Sequence, residues 1–260
     1  MLKVDASNKQ KQQKIRKMKK FILAAILICA TLPAFAAGLT RKGDVRTGNG
    51  MKKIEASKTI ATQKFSLQTF SELEADQIYE MVYKQSNSTK PTMTITGPTN
   101  IIGYVTKTID KGKLKIGFAE GYTIKNMRGK KFTVTITGPA LTEIDLKGVG
   151  DFRCDEMNTN KIEIDNDGVG NVVIKKITAK SISVDNGGVG NITLGGTSAY
   201  TELNCSGVGN INAKGLKSAV VKADCSGVGN IGAYAIKTAV TSEEGIGKIN
   251  IQGTAKVTKK

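Results

Sequence analysis

Short alternations of apolar and polar residues recur along the second half of the chain, each just after a Gly-Val-Gly or Gly-Ile-Gly motif. The positions two and four residues beyond the second glycine are apolar, whereas the position between them is mostly polar. This period of two predicts a short β-strand with one buried face. The paired glycines and the many β-branched residues argue against a helix. The predicted inward positions are Phe152, Val172, Ile192, Ile211, Ile231 and Ile249, then Cys154, Ile174, Leu194, Ala213, Ala233 and Ile251, and further on Met157, Ile177, Leu216 and Ile236.

The glycine motifs form a regular repeat. Their first glycines are residues 148, 168, 188, 207, 227 and 245, and Cys205–Ile211 recurs unchanged as Cys225–Ile231. Strands this short cannot be buried within one hairpin, but they can stack on the equivalent strand of the next repeat, about 4.8 Å away. We therefore predict an all-β, single-stranded, right-handed parallel β-helix (β-solenoid) with about 20 residues per coil. Separate hairpins are the alternative, and the lack of two-residue hairpin turns argues against them.

Stacked coils place equivalent side chains in ladders that run along the solenoid. Cys205 and Cys225 should lie in register with Asn166 and Asn186. Stacked Cβ atoms point the same way, so we expect two buried thiols rather than a disulfide. A second ladder, with hydrogen bonds between stacked amides, is predicted for Asn171, Asn191, Asn210 and Asn230, begun by Asp151 and ended by Lys248.

A third ladder carries carboxylates. It comprises Asp145, Asp165, Asp185 and Asp224, with Asn204 as its one amide. Carboxylates at this spacing repel one another, so they must face water, pair with cations or have raised pKa values. A calcium site is one interpretation, since hard cations take several oxygen ligands. The calcium-binding nonapeptide pattern is absent, which favours solvent-facing, turn-forming aspartates.

The start of the chain has the pattern of a secretory signal peptide, assigned to residues 1–37. Two lysines precede the apolar run Phe21–Leu32, and Ala34–Ala36 provides an A-x-A site with cleavage after Ala36. Met18 is the expected start, with the residues before it a mis-assigned start or a leader extension. A lipoprotein would use Cys29, but a bulky residue precedes it. No transmembrane segment is expected after cleavage, because the apolar run is short for a bilayer.

Three further boundaries follow from the pattern. Residues 38–60 lack a clear period and are predicted to be a flexible lead-in. Residues 61–250 are predicted to form the solenoid, with irregular coils over 61–146 and regular coils over 147–250. The Thr-Ile-Thr-Gly-Pro motif of Thr94–Pro98 returns as Thr135–Pro139, a separation close to two coils. Residues 251–260 are predicted to be a basic tail.

Charge and composition narrow the chemistry. The segment 1–37 holds eight of the 39 basic and one of the 22 acidic residues, which leaves 31 and 21 in the rest. The excess lies upstream, with 18 basic against 10 acidic residues over 38–147. Anionic glycans, lipid head groups or nucleic acid could meet such a surface, and so could water alone. Without a nucleic-acid-binding motif, and with export predicted, we expect no nucleic acid partner.

The reactive residues are few. The chain has no histidine and no C-x-x-C motif, which argues against the usual zinc sites and against histidine-based catalysis. The odd set Cys154, Cys205 and Cys225 is a poor disulfide framework, and its redox state stays open. We assign no catalytic, cofactor-binding or metal-binding residue and expect no cofactor.

The repeat resembles the bacterial head GIN domain family, described as auto-transporter adhesins. The resemblance rests on Gly-Val-Gly-Asn-Ile at 188–192, 207–211 and 227–231, with Thr69–Leu73 opening the domain and Pro139–Leu141 before the first glycine pair. It covers about Phe65–Asn250 and implies an exported parallel β-helix. The chain departs from the pattern at Lys248 and in its last repeat, which is shorter than the others.

Two functions remain. The first is a binding or structural protein, periplasmic or on the cell surface, that presents a repetitive surface to an anionic envelope glycan, a surface polymer or matrix component, or another copy of itself. The second is a carbohydrate-active β-helix enzyme, a polysaccharide lyase or hydrolase. Such enzymes need paired carboxylates or a basic proton abstractor. The carboxylates here repeat instead of forming a singular constellation, and the chain has no tryptophan. We therefore predict a binding protein and not an enzyme.

Overall fold

The computed structural model describes residues 52–76, 80–130 and 132–260. The predicted signal peptide and most of the predicted lead-in lie outside these residues. The described part of the chain forms eighteen strands and one short helix. They are β1 (Lys52–Glu55), β2 (Ile60–Ser66), β3 (Glu72–Ala75), β4 (Glu80–Gln85), β5 (Thr92–Pro98), α1 (Thr99–Ile102), β6 (Val105–Asp110), β7 (Lys113–Phe118), β8 (Tyr122–Lys125), β9 (Thr133–Gly138), β10 (Glu143–Leu146), β11 (Phe152–Asn158), β12 (Lys161–Asn166), β13 (Val172–Asn186), β14 (Ile192–Cys205), β15 (Ile211–Cys225), β16 (Ile231–Glu243), β17 (Ile249–Gly253) and β18 (Lys256–Lys259).

The second half is a β-solenoid with one coil about every 20 residues, as the glycine spacing predicts. Each long strand turns a corner, so its first part pairs on one face and its last part on another. We call the face with β10, β12 and the last parts of β13–β16 face A, and the face with β11 and their first parts face B. Between them lies the glycine edge, where parallel bridges join Val149, Val169, Val189, Val208, Val228 and Ile246.

The core consists of stacked aliphatic rungs. On face A, Ile164, Val184, Leu203 and Ala223 pair in register and are fully buried. On face B the predicted series that begins at Phe152 stacks in the same way. Each large aliphatic side chain contributes about 1.5–3 kcal/mol when it leaves water. Because the period is two, the residue between two buried positions points outward.

The glycine edge is too crowded for side chains. An ideal Cβ on Gly209 would lie 1.8 Å from the carbonyl oxygen of Gly190, and the φ of Gly209 is +146°. Both the space and the backbone conformation therefore require glycine there. The first glycine of the pair is crowded as well, since a Cβ on Gly207 would lie 2.1 Å from the Gly188 carbonyl oxygen, which explains why both glycines recur in every repeat.

The first half is not a succession of parallel coils, which differs from the sequence prediction. Thr94 of β5 pairs directly with Thr135 of β9 in antiparallel fashion, so the two Thr-Ile-Thr-Gly-Pro copies are neighbours rather than two coils apart. The sheet order also departs from the chain order, since β3 lies between β7 and β10. Antiparallel pairing places equivalent motifs side by side without a coil period, and sequence spacing alone does not distinguish the two arrangements.

The first half closes one end of the solenoid. Strands β2 and β6 are the edge strands at this end, and the Lys107 ammonium lies 3.9 Å from the centroid of the Phe65 ring, which joins them. Ile101 and Ile102 of α1 are buried against the core. Strand β1 pairs with β8 in a separate two-stranded sheet, so Lys52–Glu55 is ordered in a segment expected to be a flexible lead-in.

The last repeat contains fewer residues than the others. Ala233 pairs with Ala213 but the next residue, Tyr234, pairs with Lys217, so three residues of β15 have no partner in β16. One residue is regained between Ser218 and Val220, so the offset between the two coils falls from 20 residues at Ile211 and Ile231 to 18 at Val220 and Thr238, which is the length of the last repeat. These shifts also leave Ile236 exposed, although the repeat predicts it in the core.

The solenoid extends past residue 250. Strand β17 pairs with the first part of β16, and β18 pairs with its last part. Residues 256–259 are therefore part of face A, where the sequence predicted a basic tail. The lysines at both ends of β18 suit an edge strand, because charge at an edge discourages further pairing.

Candidate functional site

A hydrogen-bonded amide ladder lies on the surface where the glycine edge meets face B. In each coil the residue after the second glycine donates both its backbone N–H and its side-chain Nδ2 to the side-chain oxygen of the coil before. For Asn210, both nitrogens lie 3.0 Å from Asn191 Oδ1. The same pair of bonds joins Asn191 to Asn171 and Asn230 to Asn210. The predicted amide ladder is confirmed.

The two ends of the ladder follow from the direction of these bonds. The first rung needs only an acceptor, and Asp151 Oδ1 accepts the backbone N–H and Nδ2 of Asn171 at 2.9 and 3.1 Å. The last rung needs only a backbone donor, and the Lys248 N–H lies 3.1 Å from Asn230 Oδ1. The departure from asparagine at Lys248 thus leaves the ladder complete.

The cysteines lie in the ladder that the sequence predicts, in register with Asn166 and Asn186. Asn186 donates from Nδ2 to the carbonyl of Gly190 at 2.9 Å, and its Oδ1 accepts Asn166 Nδ2 at 2.8 Å. Cys205 donates its thiol to the equivalent carbonyl of Gly209 at 3.3 Å. Cysteine and asparagine replace one another here because both place a donor under the glycine edge.

The three cysteines of the described chain are free and buried. Burial raises the pKa of Cys205 to about 12 and that of Cys154 to about 11. The pKa of Cys225 is also raised, chiefly by burial. Thiols in this state are poor nucleophiles, since the thiolate is the reactive form.

The carboxylate ladder also forms in the predicted register on the outer side of face A, from Asp145 to Asp224. A lysine neutralises its first rung, with Lys147 Nζ 2.6 Å from Asp145 Oδ2 and 3.1 Å from Glu74 Oε2. Among the residues that the structure describes, no group of three or more His, Cys, Asp or Glu is placed to hold a metal ion. The calcium interpretation therefore gains no support from the geometry.

A groove of about 290 Å³ opens beside the last rungs of the amide ladder. It crosses three successive coils, and its lining consists of Asn210, Ile211, Asn212, Lys214, Asn230, Ile231, Gly232, Lys248 and Asn250. We call it the amide groove. Amide and ammonium groups are present among its lining residues, together with Ile211 and Ile231, and no carboxylate is among them.

Gly232 shapes the amide groove. It occupies the outward rung of face B that holds Thr193 and Asn212 in the preceding coils. The alkyl chain of Lys214 crosses it, and a Cβ on Gly232 would lie 2.6 Å from Lys214 Cε. Sequence reasoning missed this groove. The available signal was the combination of a glycine in a polar rung with a shortened last coil.

An exposed apolar row runs beside the amide ladder. The residues between the paired glycines are about half exposed in most coils, for example Val149 at 47% and Val228 at 46%, and Ile246 in the last coil is more exposed. Their stacking along the glycine edge gives the surface a continuous aliphatic strip next to its amides. No helix in the described part of the chain is long and apolar enough to cross a membrane.

Fold and surface together define a parallel β-solenoid that presents repeated ladders of side chains. The chain belongs to the family described as "Putative auto-transporter adhesin, head GIN domain", whose model matches residues 69–255. This confirms the resemblance drawn from the Gly-Val-Gly-Asn-Ile repeats. No curated protein matches the sequence.

Solved structures show the same fold. A protein of Bacteroides fragilis described as a putative adhesin is 28% identical, with a TM-score of 0.71, over 80% of this chain and 100% of the other. A putative adhesin of Parabacteroides merdae is 20% identical, with a TM-score of 0.57, over 80% and 99%. A putative lipid binding protein of Parabacteroides distasonis is 18% identical, with a TM-score of 0.58, over 80% and 100%. None of these descriptions names an enzyme.

Proposed function

We propose that this protein is an exported adhesin-like component of the cell envelope that binds an anionic envelope glycan or surface polymer. The family supports adhesin-like binding in general. The observation that carries the proposal is the exposed amide ladder of Asn171, Asn191, Asn210 and Asn230, which leads into the amide groove.

The amide ladder suits the hydroxyl groups of a glycan. Each Nδ2 carries two hydrogens, and the ladder uses one of them for the preceding coil. The second hydrogen of each rung is left for a ligand oxygen. Coils repeat about every 4.8 Å, so these donors form a regular line along an extended polymer.

The apolar row gives such a polymer a second kind of contact. Sugar rings have aliphatic faces as well as hydroxyl edges, and proteins often cover these faces with aromatic side chains. Here the exposed valines of the glycine edge lie beside the amides and provide aliphatic area instead. Ligand sites commonly combine apolar surface with a few polar groups that set orientation.

The alternative, a polysaccharide lyase or hydrolase, has less support. The aspartates of face A stack in a repeating ladder, and Glu202 beside that ladder pairs with Lys222 at 2.6 Å. The cysteine thiols are buried with raised pKa values, so they are poor nucleophile candidates. Proton transfer in catalysis needs groups within hydrogen-bond reach of one reacting centre.

A glycan array and an activity panel would decide between the two functions. The mature protein would be applied to an array of neutral, uronate-bearing and sulfated glycans, and incubated in parallel with uronate polymers. We expect retention on the array without release of oligosaccharides. Cleavage of a polymer in the panel would contradict the proposal, and so would failure to bind any glycan on the array.

A further inference from the structure

The amide groove is an open surface groove with the size of a subsite for one short stretch of ligand. Its volume of about 290 Å³ lies at the lower end of the range for ligand pockets, roughly 300–1,000 Å³. It spans two coil steps, which is about 10 Å along the solenoid axis. Gly232 has no side chain, so the alkyl chain of Lys214 lies directly over the backbone of face B and forms the floor of the groove at this point.

The lining residues of the amide groove carry positive charge only, and the carboxylate of Glu243 lies beside them, with its Oε1 accepting the backbone N–H of Ile249 at 2.8 Å. Lys214 and Lys248 line the groove, and neither forms an ion pair with a carboxylate in the described part of the chain. Other solenoid lysines do pair with carboxylates, as Lys175 does with Asp155 at 2.7 Å and Lys176 with Glu156 at 2.8 Å. Two ammonium groups over a concave, amide-lined surface are suited to an anionic group that also carries hydroxyls.

We infer that the amide groove is a subsite for an anionic sugar residue, which rests on the glycan-binding function proposed above. Lys214 and Lys248 contact the anionic group from the two ends of the groove. Asn212, Asn230 and Asn250 hydrogen-bond the hydroxyl groups of the ring. A carboxylate and a sulfate share this chemistry, so the sugar is a uronate or a sulfated residue.

The test measures binding of three probes by the mature protein. They are an oligogalacturonate, a sulfated oligosaccharide of similar length, and the methyl-esterified oligogalacturonate as the neutral counterpart. Each would be titrated by calorimetry at low and at physiological salt. We expect binding of at least one anionic probe, weaker binding at higher salt, and little binding of the neutral one. The better of the two anionic probes identifies the anionic group.

Substitutions locate the binding. We expect Lys214→Gln and Lys248→Gln each to weaken binding about fivefold, in line with an exposed ion pair. Lys217→Gln is the matched control, because Lys217 is an exposed lysine of the same strand outside the groove lining. Gly232→Thr should fill the groove and abolish binding. We expect this variant to fold, because Thr193 occupies the same rung in an earlier coil. The control is Val173→Thr, which introduces the same side chain on that rung away from the groove.

The outcomes separate the subsite from the general function. Equal binding of charged and neutral probes would overturn the anionic assignment. Full binding by the Lys214, Lys248 and Gly232 variants would place the glycan elsewhere on the solenoid and overturn the subsite, while glycan binding stands. Failure of the unmodified protein to bind any glycan on the wider array would remove the proposed function itself.

Discussion

The side-chain Oδ1 of Asn171 accepts two hydrogen bonds from Asn191, one from its backbone N–H at 3.1 Å and one from its side-chain Nδ2 at 3.2 Å. An acceptor-only side chain can therefore begin the ladder but cannot continue it. We expect Asn191→Asp to lower the free energy of unfolding at pH 7 by about 1–3 kcal/mol, because two acceptors would then face each other. Asp151→Asn, at the acceptor end, should change it by less than about 0.5 kcal/mol. Urea denaturation of both variants would measure this, and equal effects would contradict the directional ladder.

The second glycine of each pair should be irreplaceable. Gly209→Ala places a Cβ 1.8 Å from the Gly190 carbonyl at a φ of +146°, so strain and overlap add. We expect a loss of about 3 kcal/mol or more. Thr193→Ala, on an exposed strand position, should cost less than about 1 kcal/mol. Thermal unfolding of the two variants gives the comparison, and similar melting temperatures would argue against a crowded edge.

The buried position of Asn186 under the glycine edge should tolerate cysteine better than leucine. Asn186→Leu leaves the Gly190 carbonyl without its donor and Asn166 Nδ2 with only its 3.5 Å hydrogen bond to the Gly170 carbonyl, at about 2–4 kcal/mol. Asn186→Cys restores a donor to the carbonyl, as Cys205 does one coil further on, and should cost about half as much. Denaturant midpoints would test this order. A leucine variant as stable as the cysteine variant would show that the carbonyl needs no donor.

The cysteines should react slowly in the folded protein. At pH 8, thiol reagents should modify Cys205 and Cys225 only after denaturation, because burial raises the pKa of both thiols. The folded Cys205 has a pKa of about 12, above its ordinary value of 9.0, so its contribution to stability is complete below pH 9 and is lost as pH rises towards 12. Cys205→Ala should therefore reduce the loss of stability over that range. Rapid labelling in native buffer would contradict inward-facing thiols.

Export should remove the segment before Ala37. We expect the mature protein to begin there, with translation starting at Met18, and to be recovered from the periplasm or the cell surface. Mass spectrometry of the intact exported protein would give the terminus. Retention of Met1 in that product would refute both the start site and the cleavage site.

The regular coils could be predicted because each residue in them stacks on the equivalent residue of the adjacent coil. One rung contains Phe152, Val172 and Ile192, because the chain returns to the same position once in every repeat. The length of that repeat can be read directly from the amino-acid sequence. The same reasoning places the asparagine, cysteine and aspartate ladders correctly. Local sequence alone determines which face each of these residues occupies.

The parts that sequence failed to predict depend on pairing rather than on period. The two Thr-Ile-Thr-Gly-Pro copies look like distant coils, but antiparallel pairing makes Thr94 and Thr135 direct partners. Ile236 has the right residue type for the core, yet the register shift at Ala233 turns it outward. The amide groove combines residues of three coils and needs Gly232 on a rung that holds Thr193 and Asn212 in the preceding coils, so no single repeat predicts it.

The one-way amide ladder makes the molecule extensible. Any unit from one asparagine to the next carries a donor for the unit before it and an acceptor for the unit after it, while Asp151 and Lys248 serve only as terminators. Tandem duplication of an internal unit therefore leaves every rung satisfied and lengthens the protein by about 4.8 Å. The distance between the end that carries the amide groove and the opposite end, which the first half closes, can therefore be changed in steps of one coil, by evolution or by design.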